Sequence, residues 1–260
     1  MKIFNFASAI LAAPFLAGVA ADTHLEEAKA IFAMVSGVED GYVNPKLELR
    51  RATPGDPTSP MGVYAKEDIG NGEDLVKVPY SVVIENQNHG ERPSNLMCGT
   101  VYATAEEMRL GAESEIAPYA VYLNSEGASS IPSTWSSGAK ELLLKVIENG
   151  KIDPLPPEKA VTMITNDWFG RCRGDPNDAF GIRAAVMVIQ RADDQMMIPA
   201  YDNINHRNGN WTNANTENEA EHHVTYATKN IPAGDQIYIS YNFCEECGNR
   251  RMFYGTAGKF

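Results

Sequence analysis

Two short runs near the C-terminal end, held in order by one turn, constrain this chain more than any other feature. The stretch MMIPAYDNINH closes on Asp202-Asn203-Ile204-Asn205-His206, and a Gly/Asn-rich loop is expected after it. Next come His223-Val224-Thr225-Tyr226-Ala227-Thr228, a turn at Asn230-Ile231-Pro232-Ala233-Gly234-Asp235, and Gln236-Ile237-Tyr238-Ile239-Ser240-Tyr241. Both runs are rich in β-branched and aromatic residues and bounded by Pro, Gly and Asn, the pattern of strands. Strands that end at an Asn-His pair and at a Tyr can bring three polar side chains together where backbones converge.

The remainder reads as short strands flanking a helical middle. Leu25, Ala28, Ile31, Phe32 and Val35 recur at helical spacing behind a Thr23-x-x-Glu26 capping box, which predicts a helix from about His24 to Ser36. Gly41 to Arg50, Met61 to Ala65 and Leu75 to Pro79 read as strands between Gly and Pro turns. From about Asn95 to Arg191 the spacing turns helical, in Ala103–Leu110, Ala139–Ile147 and Phe180–Ile189, with prolines between. The sequence shows no internal repeat and no low-complexity segment.

The first 21 residues read as a secretory signal peptide: Lys2, an apolar stretch from Ile10 to Val19, then Val19-Ala20-Ala21 before Asp22. No later segment approaches the ~20 apolar residues of a membrane span. That places the remaining chain in the secretory pathway, lumenal or extracellular. A bipartite plastid route is less favoured, because Asp22, Glu26 and Glu27 follow where a Ser/Arg-rich, acid-poor stretch would be expected. In an oxidising compartment Cys98, Cys172, Cys244 and Cys247 are disulfide candidates, with three possible pairings. Asn210-Trp211-Thr212 is an acceptor triplet for an N-glycan on Asn210. The net charge of −12 has its two signs interspersed, which argues against nucleic acid as a partner. Cys244-x-x-Cys247 could supply two zinc ligands with His222 or His223 nearby, but the expected fate of these cysteines is disulfide bonding and no metal site is expected. The sequence has no Ser-centred elbow, P-loop or H-E-x-x-H.

The Asp202-x-x-Asn205-His206 segment and the strand Gly234-Asp235-Gln236-Ile237-Tyr238-Ile239-Ser240-Tyr241 resemble the two C-terminal motifs of SET-domain methyltransferases. LELRRATPGDPTSPMGVYAKEDIGNGEDLVKVP is similar to the N-terminal half of the Rubisco large-subunit and actin-histidine methyltransferase type. It departs from that type at Pro60-Met61-Gly62, where the first glycine of a G-x-G is replaced, and at Asn242, where a Gly usually follows the Tyr. The resemblance covers roughly Ala28 to Phe260 and lacks the C-terminal substrate-binding domain of the larger members.

It implies an α+β fold of small β-sheets, the β-clip, with a helical insertion and a knot-like C-terminal segment. A single SET-like domain would span residues 22–260, with an N-terminal half (22–94), the insertion (95–191) and a C-terminal half (192–260). It further implies S-adenosylmethionine as cofactor, contacted by Met61, Gly62, Val63, Arg191, Asn205 and His206. Tyr241 would be the catalytic residue, and Tyr226 and Tyr254 would border a substrate channel. The implied activity is N-methylation of a lysine, less so a histidine, in a protein substrate, by a monomer. The alternative is a secreted SET-like binding protein that kept the fold and lost turnover.

Overall fold

Asp22 opens the first helix. In the computed structural model, which describes residues 22–85, 98–126, 131–146 and 161–241, α1 spans Thr23–Gly37 and its cap is Asp22, whose carboxylate accepts the Leu25 N–H at 3.1 Å. The expected box thus moves back one residue. Arg51 explains the shift, donating to both oxygens of the same carboxylate at 2.7 and 3.0 Å. Ala28, Ile31 and Val35 are buried, as the helical spacing requires.

The single strand expected over 41–50 is two strands that serve different sheets. β1 (Tyr42–Val43) pairs antiparallel with β4 (Asp74–Pro79), and β2 (Leu47–Arg51) pairs antiparallel with β3 (Met61–Ala65). Asn44-Pro45 makes the break. Pro45 has no N–H for a ladder, while the Asn44 side chain accepts from Lys46 N at 2.9 Å and donates to the Asp74 carbonyl at 2.8 Å.

β4 also pairs antiparallel with β7 (His222–Ala227), and β7 pairs with β6 (Ala214–Asn218), giving a four-stranded antiparallel sheet in the order β1-β4-β7-β6. Part of the stretch read as a loop is therefore the strand β6. Its sequence, ANTEN, lacks apolar alternation because it is an edge strand, and polar and acidic side chains suit an exposed edge. Two very short strands, β5 (Asn205–His206) and β8 (Tyr238–Ile239), pair in parallel. Only Tyr238–Ile239 of the expected run Gln236 to Tyr241 is regular strand, with Gln236 bridging singly to Tyr64.

Between β4 and β5 lies the helical region: α2 (Cys98–Leu110), α3 (Ala117–Ser125), α4 (Ser137–Val146), a π-helical segment (Ile164–Arg171) and α5 (Ala179–Arg191). Pro118 sits in the first turn of α3, where a missing N–H costs nothing. Trp168 is fully buried, and Gly174 and Gly181 make room for it: a Cβ at Gly174 would lie 2.1 Å from its ring. Of the three cysteine pairings, the structure has Cys98–Cys172, joining the start of α2 to the end of the π-helical segment across 74 residues. Cross-bonds from this pair to Cys244 or Cys247 are thereby excluded; those two cysteines, the first 21 residues expected to be a signal peptide, and Tyr254 lie outside the described residues.

The fold is thus mixed helix and small, mainly antiparallel sheets. Apolar side chains from α1, the sheets and the helical region form one continuous core. No helix among the described residues is long and apolar enough to cross a membrane.

Candidate functional site

β3, β5 and β8 meet edge to edge, and the site forms along that seam. Ile237 N donates to the Val63 carbonyl at 2.8 Å and Ala65 N to the Asp235 carbonyl at 2.9 Å, which lays the 235–239 segment beside β3. Asn205 then reaches across to β3, donating to the Met61 carbonyl at 2.6 Å. Gly62 is where these elements press closest. A Cβ there would stand 2.1 Å from the Gln236 amide nitrogen and 3.0 Å from that of Asn205. Asn213 locks the far side of the seam, accepting from Tyr238 N at 2.7 Å and donating to the Gln236 carbonyl at 2.9 Å.

The approach to β5 is strained. Ala200 has φ 64° and ψ −43°, and Tyr201 N bonds back to the Pro199 carbonyl at 2.7 Å, the geometry of a γ-turn that costs a non-glycine residue about 1–3 kcal/mol. The surrounding fold must supply that energy. Ala200 is fully buried and the next three residues, Tyr201–Asn203, are buried with it.

A cavity of about 680 Å³ opens over the seam, within the range that holds cofactor-sized molecules. Around β3, β5 and β8 its wall carries Met61, Tyr64, His206, Arg207 and Tyr238, with Arg50 over the Tyr64 ring, 3.5 Å from its centroid. Arg207 lies over the Trp211 ring, 3.7 Å from its centroid. A charged part of the lining is built by three helices. Arg191, the last residue of α5, donates to Asp202 at 3.2 Å and also to Glu126, just past α3. Tyr119 and Tyr122 of α3 donate to Asp202 and Asn203, each at 3.0 Å. From α1, His24 stacks on Tyr122 at 4.9 Å and faces Glu126 at 3.4 Å.

Electrostatics follow from that packing. Burial alone would push the Glu126 carboxyl up, but the His24 ring and the Arg191 guanidinium beside it hold it at about 2. The guanidinium of Arg51, which lines the cavity, holds the Asp22 carboxyl at about 2. Burial pushes the hydroxyls of Tyr119, Tyr122 and Tyr241 well up, so all three stay neutral phenols at ordinary pH.

Of the residues singled out by sequence, Met61, Arg191, Asn205 and His206 line the cavity. Gly62 packs against the Gln236 and Asn205 side chains that line it, and Val63 is fully buried, joined to the seam through its carbonyl. Tyr241 does not line the cavity but connects to it through His206. Its N–H donates to His206 Nδ1 at 2.9 Å, its ring stacks on the imidazole at 4.9 Å, and its hydroxyl donates to the Ile204 carbonyl at 2.6 Å. Because His206 Nδ1 accepts, the neutral ring carries its proton on Nε2. Tyr226 is not brought to the cavity. It pairs with Asp74 and Asn215 in the four-stranded sheet, on the face shared with Lys77 and exposed Tyr42. Asn210 is exposed in a turn. The described residues contain no group of three or more His, Cys, Asp or Glu placed to hold a metal ion.

Sequence reasoning missed His24, Arg51, Tyr122, Glu126, Gln236 and Tyr238, all on the cavity wall. Tyr119 and Tyr122 carried a usable signal, being one helical turn apart after the Pro118 helix start. Glu126 carried none, since its partner Arg191 is 65 residues away.

The SET domain family model matches residues 61–242 of the chain. Among solved structures, the SET domain of LSMT bound to lysine and AdoHcy is similar at 16% identity and a TM-score of 0.51, over 86% of this chain and 55% of that one. Rubisco LSMT bound to AdoMet is similar at 17% identity and a TM-score of 0.53, over 85% of this chain and 53% of that one. Rubisco LSMT bound to sinefungin and monomethyllysine gives 17%, 0.51, 85% and 53% in the same order. The chain spans about half the length of these structures, and at such identities the likeness is one of fold. No curated protein sequence matches it.

Proposed function

Since this chain belongs to the SET domain family, we propose that it is a protein N-methyltransferase that uses S-adenosylmethionine and acts on a lysine side chain, with histidine the less favoured target. The observation that carries this reading is the seam itself: Asn205 and His206 on a cavity wall, with the Tyr241 hydroxyl held one ring behind them. The similarity to LSMT structures described with AdoMet, AdoHcy and lysine supports the same assignment.

The residues present suit that donor. A cavity whose wall carries both aromatic and charged side chains suits a molecule that joins a purine to an amino acid, and about 680 Å³ accommodates it. Bound there, the sulfonium would supply an electrophilic methyl group. The chain's own residues do the rest. Asn205 and Arg191 would hold the amino-acid portion, and His206 with its backbone the purine side. Tyr241 keeps its proton on the Ile204 carbonyl, so toward an incoming amine its oxygen acts as an acceptor that orients the nitrogen. A lysine must arrive neutral to react, and exclusion of water by buried walls favours the uncharged amine. The buried phenol serves for alignment and not for proton abstraction, because burial holds it neutral.

We place the protein in the secretory pathway, supported by the leader-like first 21 residues, the Cys98–Cys172 bond and the exposed Asn210. The partner would be a protein chain, and the substrate is sought by transfer of labelled methyl groups from S-adenosylmethionine to basic peptides and to lysate. Label in lysine side chains is the expected result. Absence of transfer, with the donor bound, would favour instead a SET-like binding protein without turnover.

A further inference from the structure

Ala200 keeps a costly backbone conformation on the approach to Asn205, and a pair of rings stands directly behind it. Tyr201 sends its side chain into the core, leaving 5% of the residue exposed. There it meets the His223 imidazole edge-on, with ring centroids 4.6 Å apart and planes at 64°. Ring pairs in this arrangement gain attraction beyond the area they bury.

His223 is a firm base for that contact. It lies on β7, inside the four-stranded sheet, paired with Val78 of β4 on one side and Asn218 of β6 on the other. It is 1% exposed, and neither ring nitrogen has a hydrogen-bond partner among the described residues. Asp193 Oδ2 stands 3.5 Å from its Nε2, and the same carboxylate neighbours the Tyr201 hydroxyl. A buried imidazole without hydrogen bonds costs more than an apolar side chain in the same place. What the ring contributes is its contact with Tyr201.

We propose that His223 is a positioning residue for the methyl donor: through Tyr201 it clamps the strained turn at Ala200 and thereby fixes Asn205 and His206 on the cavity wall. This rests on the donor assignment made above and extends it to a residue that does not itself line the cavity. The linkage is short. Tyr201 N bonds back to Pro199, Ile204 N donates to the Tyr201 carbonyl at 2.9 Å, and Asn205 follows directly, its amide on the Met61 carbonyl. Without the ring contact Ala200 relaxes toward an ordinary conformation, the binding-competent arrangement becomes the minor one, and apparent donor affinity falls by the fraction lost.

The test is a double-mutant cycle read by calorimetry with S-adenosylhomocysteine on the purified chain. His223→Leu puts an apolar side chain in place of the ring and should weaken binding by about 5- to 150-fold, the range into which the cost of the strained turn converts. Ala200→Gly adopts the positive φ without that cost. Alone it should leave affinity within about 2-fold of wild type, because the clamp already holds the turn. In the His223→Leu background it should restore binding to within about 2-fold of wild type. Lost packing by itself is not repaired by a glycine at position 200, so a double variant that stays weak would overturn the proposal, as would His223→Leu binding like wild type. Two further measurements stand even if His223→Leu fails to fold. His223→Phe keeps a ring against Tyr201 and should bind within about 2-fold of wild type; a folded His223→Phe that binds about 10-fold more weakly or worse refutes the clamp. Ala200→Gly alone binding more than about 5-fold more tightly would show a turn that nothing holds, and refutes it too. A wild-type chain that binds no ligand at millimolar concentration would instead remove the donor reading, and this proposal with it.

Discussion

Tyr241 spends its one hydroxyl proton on the Ile204 carbonyl, so removing that hydroxyl removes an aligned acceptor together with that hydrogen bond. Its ring still stacks on His206 and its backbone N–H still holds the imidazole. Tyr241→Phe should accordingly keep the fold and the donor affinity while lowering kcat by about 10²-fold at nearly constant KM. Steady-state kinetics on a responsive peptide check this, and a rate equal to wild type would remove Tyr241 from catalysis. Gly62 makes a different residue-level prediction. A methyl group there meets the end of the Gln236 side chain at 2.1 Å and the Asn205 amide at 3.0 Å. The Gln236 amide can swing aside, so Gly62→Ala should fold, but it disturbs the Asn205 contact and should weaken donor binding by about 10-fold. Calorimetry would show it, and unchanged affinity would detach Asn205 from the donor site. The Asn-His pair and the Tyr were legible in the sequence because each sits in a short local phrase. Ala200 was not, since nothing in Pro199-Ala200-Tyr201 announces a γ-turn.

Elements meet at Glu126, where α1, α3 and α5 share one charge network, and the network makes acid stability a test. The carboxyl sits at about 2 in the folded protein against an ordinary 4.5. A depressed carboxylate contributes stability that is complete above the ordinary value and is lost as pH falls through the folded one. Glu126→Gln should therefore be less stable than wild type at neutral pH, by at most about 3 kcal/mol, with the gap closing between about pH 4.5 and 2. Denaturant titrations across that range measure it; a gap that stayed constant to pH 2 would contradict the network. A second element-level prediction concerns the Cys98–Cys172 bond, which closes 74 residues of chain around the helical region. Its loss in Cys172→Ser should cost about 2–4 kcal/mol by relaxing the unfolded chain, seen as a lower midpoint in urea. At this scale the sequence was informative where an element's own pattern decides it, as in α1, α5 and β7. It failed where a partner decides it. β6 is polar and becomes a strand only because β7 lies beside it, and the run 41–50 splits because Asn44 bonds to Asp74 on another strand. The capping residue moved to Asp22 for the same reason, Arg51 arriving from β2.

At the scale of the whole molecule, two halves of β structure and the helical region between them contribute to one cavity. β3 comes from the first half, β5 and β8 from the second, and Arg191 with Glu126 from the helices. The order of these parts along the chain was readable because strand and helix periodicities differ. The convergence was not, since it depends on contacts such as Asn205 to Met61, 144 positions apart. A ligand that bridges all three parts should stabilise the whole protein as one unit. The most direct measurement is thermal unfolding and calorimetry of the purified chain with S-adenosylhomocysteine, the demethylated product, which isolates binding from turnover. At 100 times its dissociation constant it should add about 2.7 kcal/mol of stability, lost together with measurable heat in Asn205→Ala. A folded wild-type protein that shows neither a shift nor a heat at millimolar ligand would contradict the account at its centre.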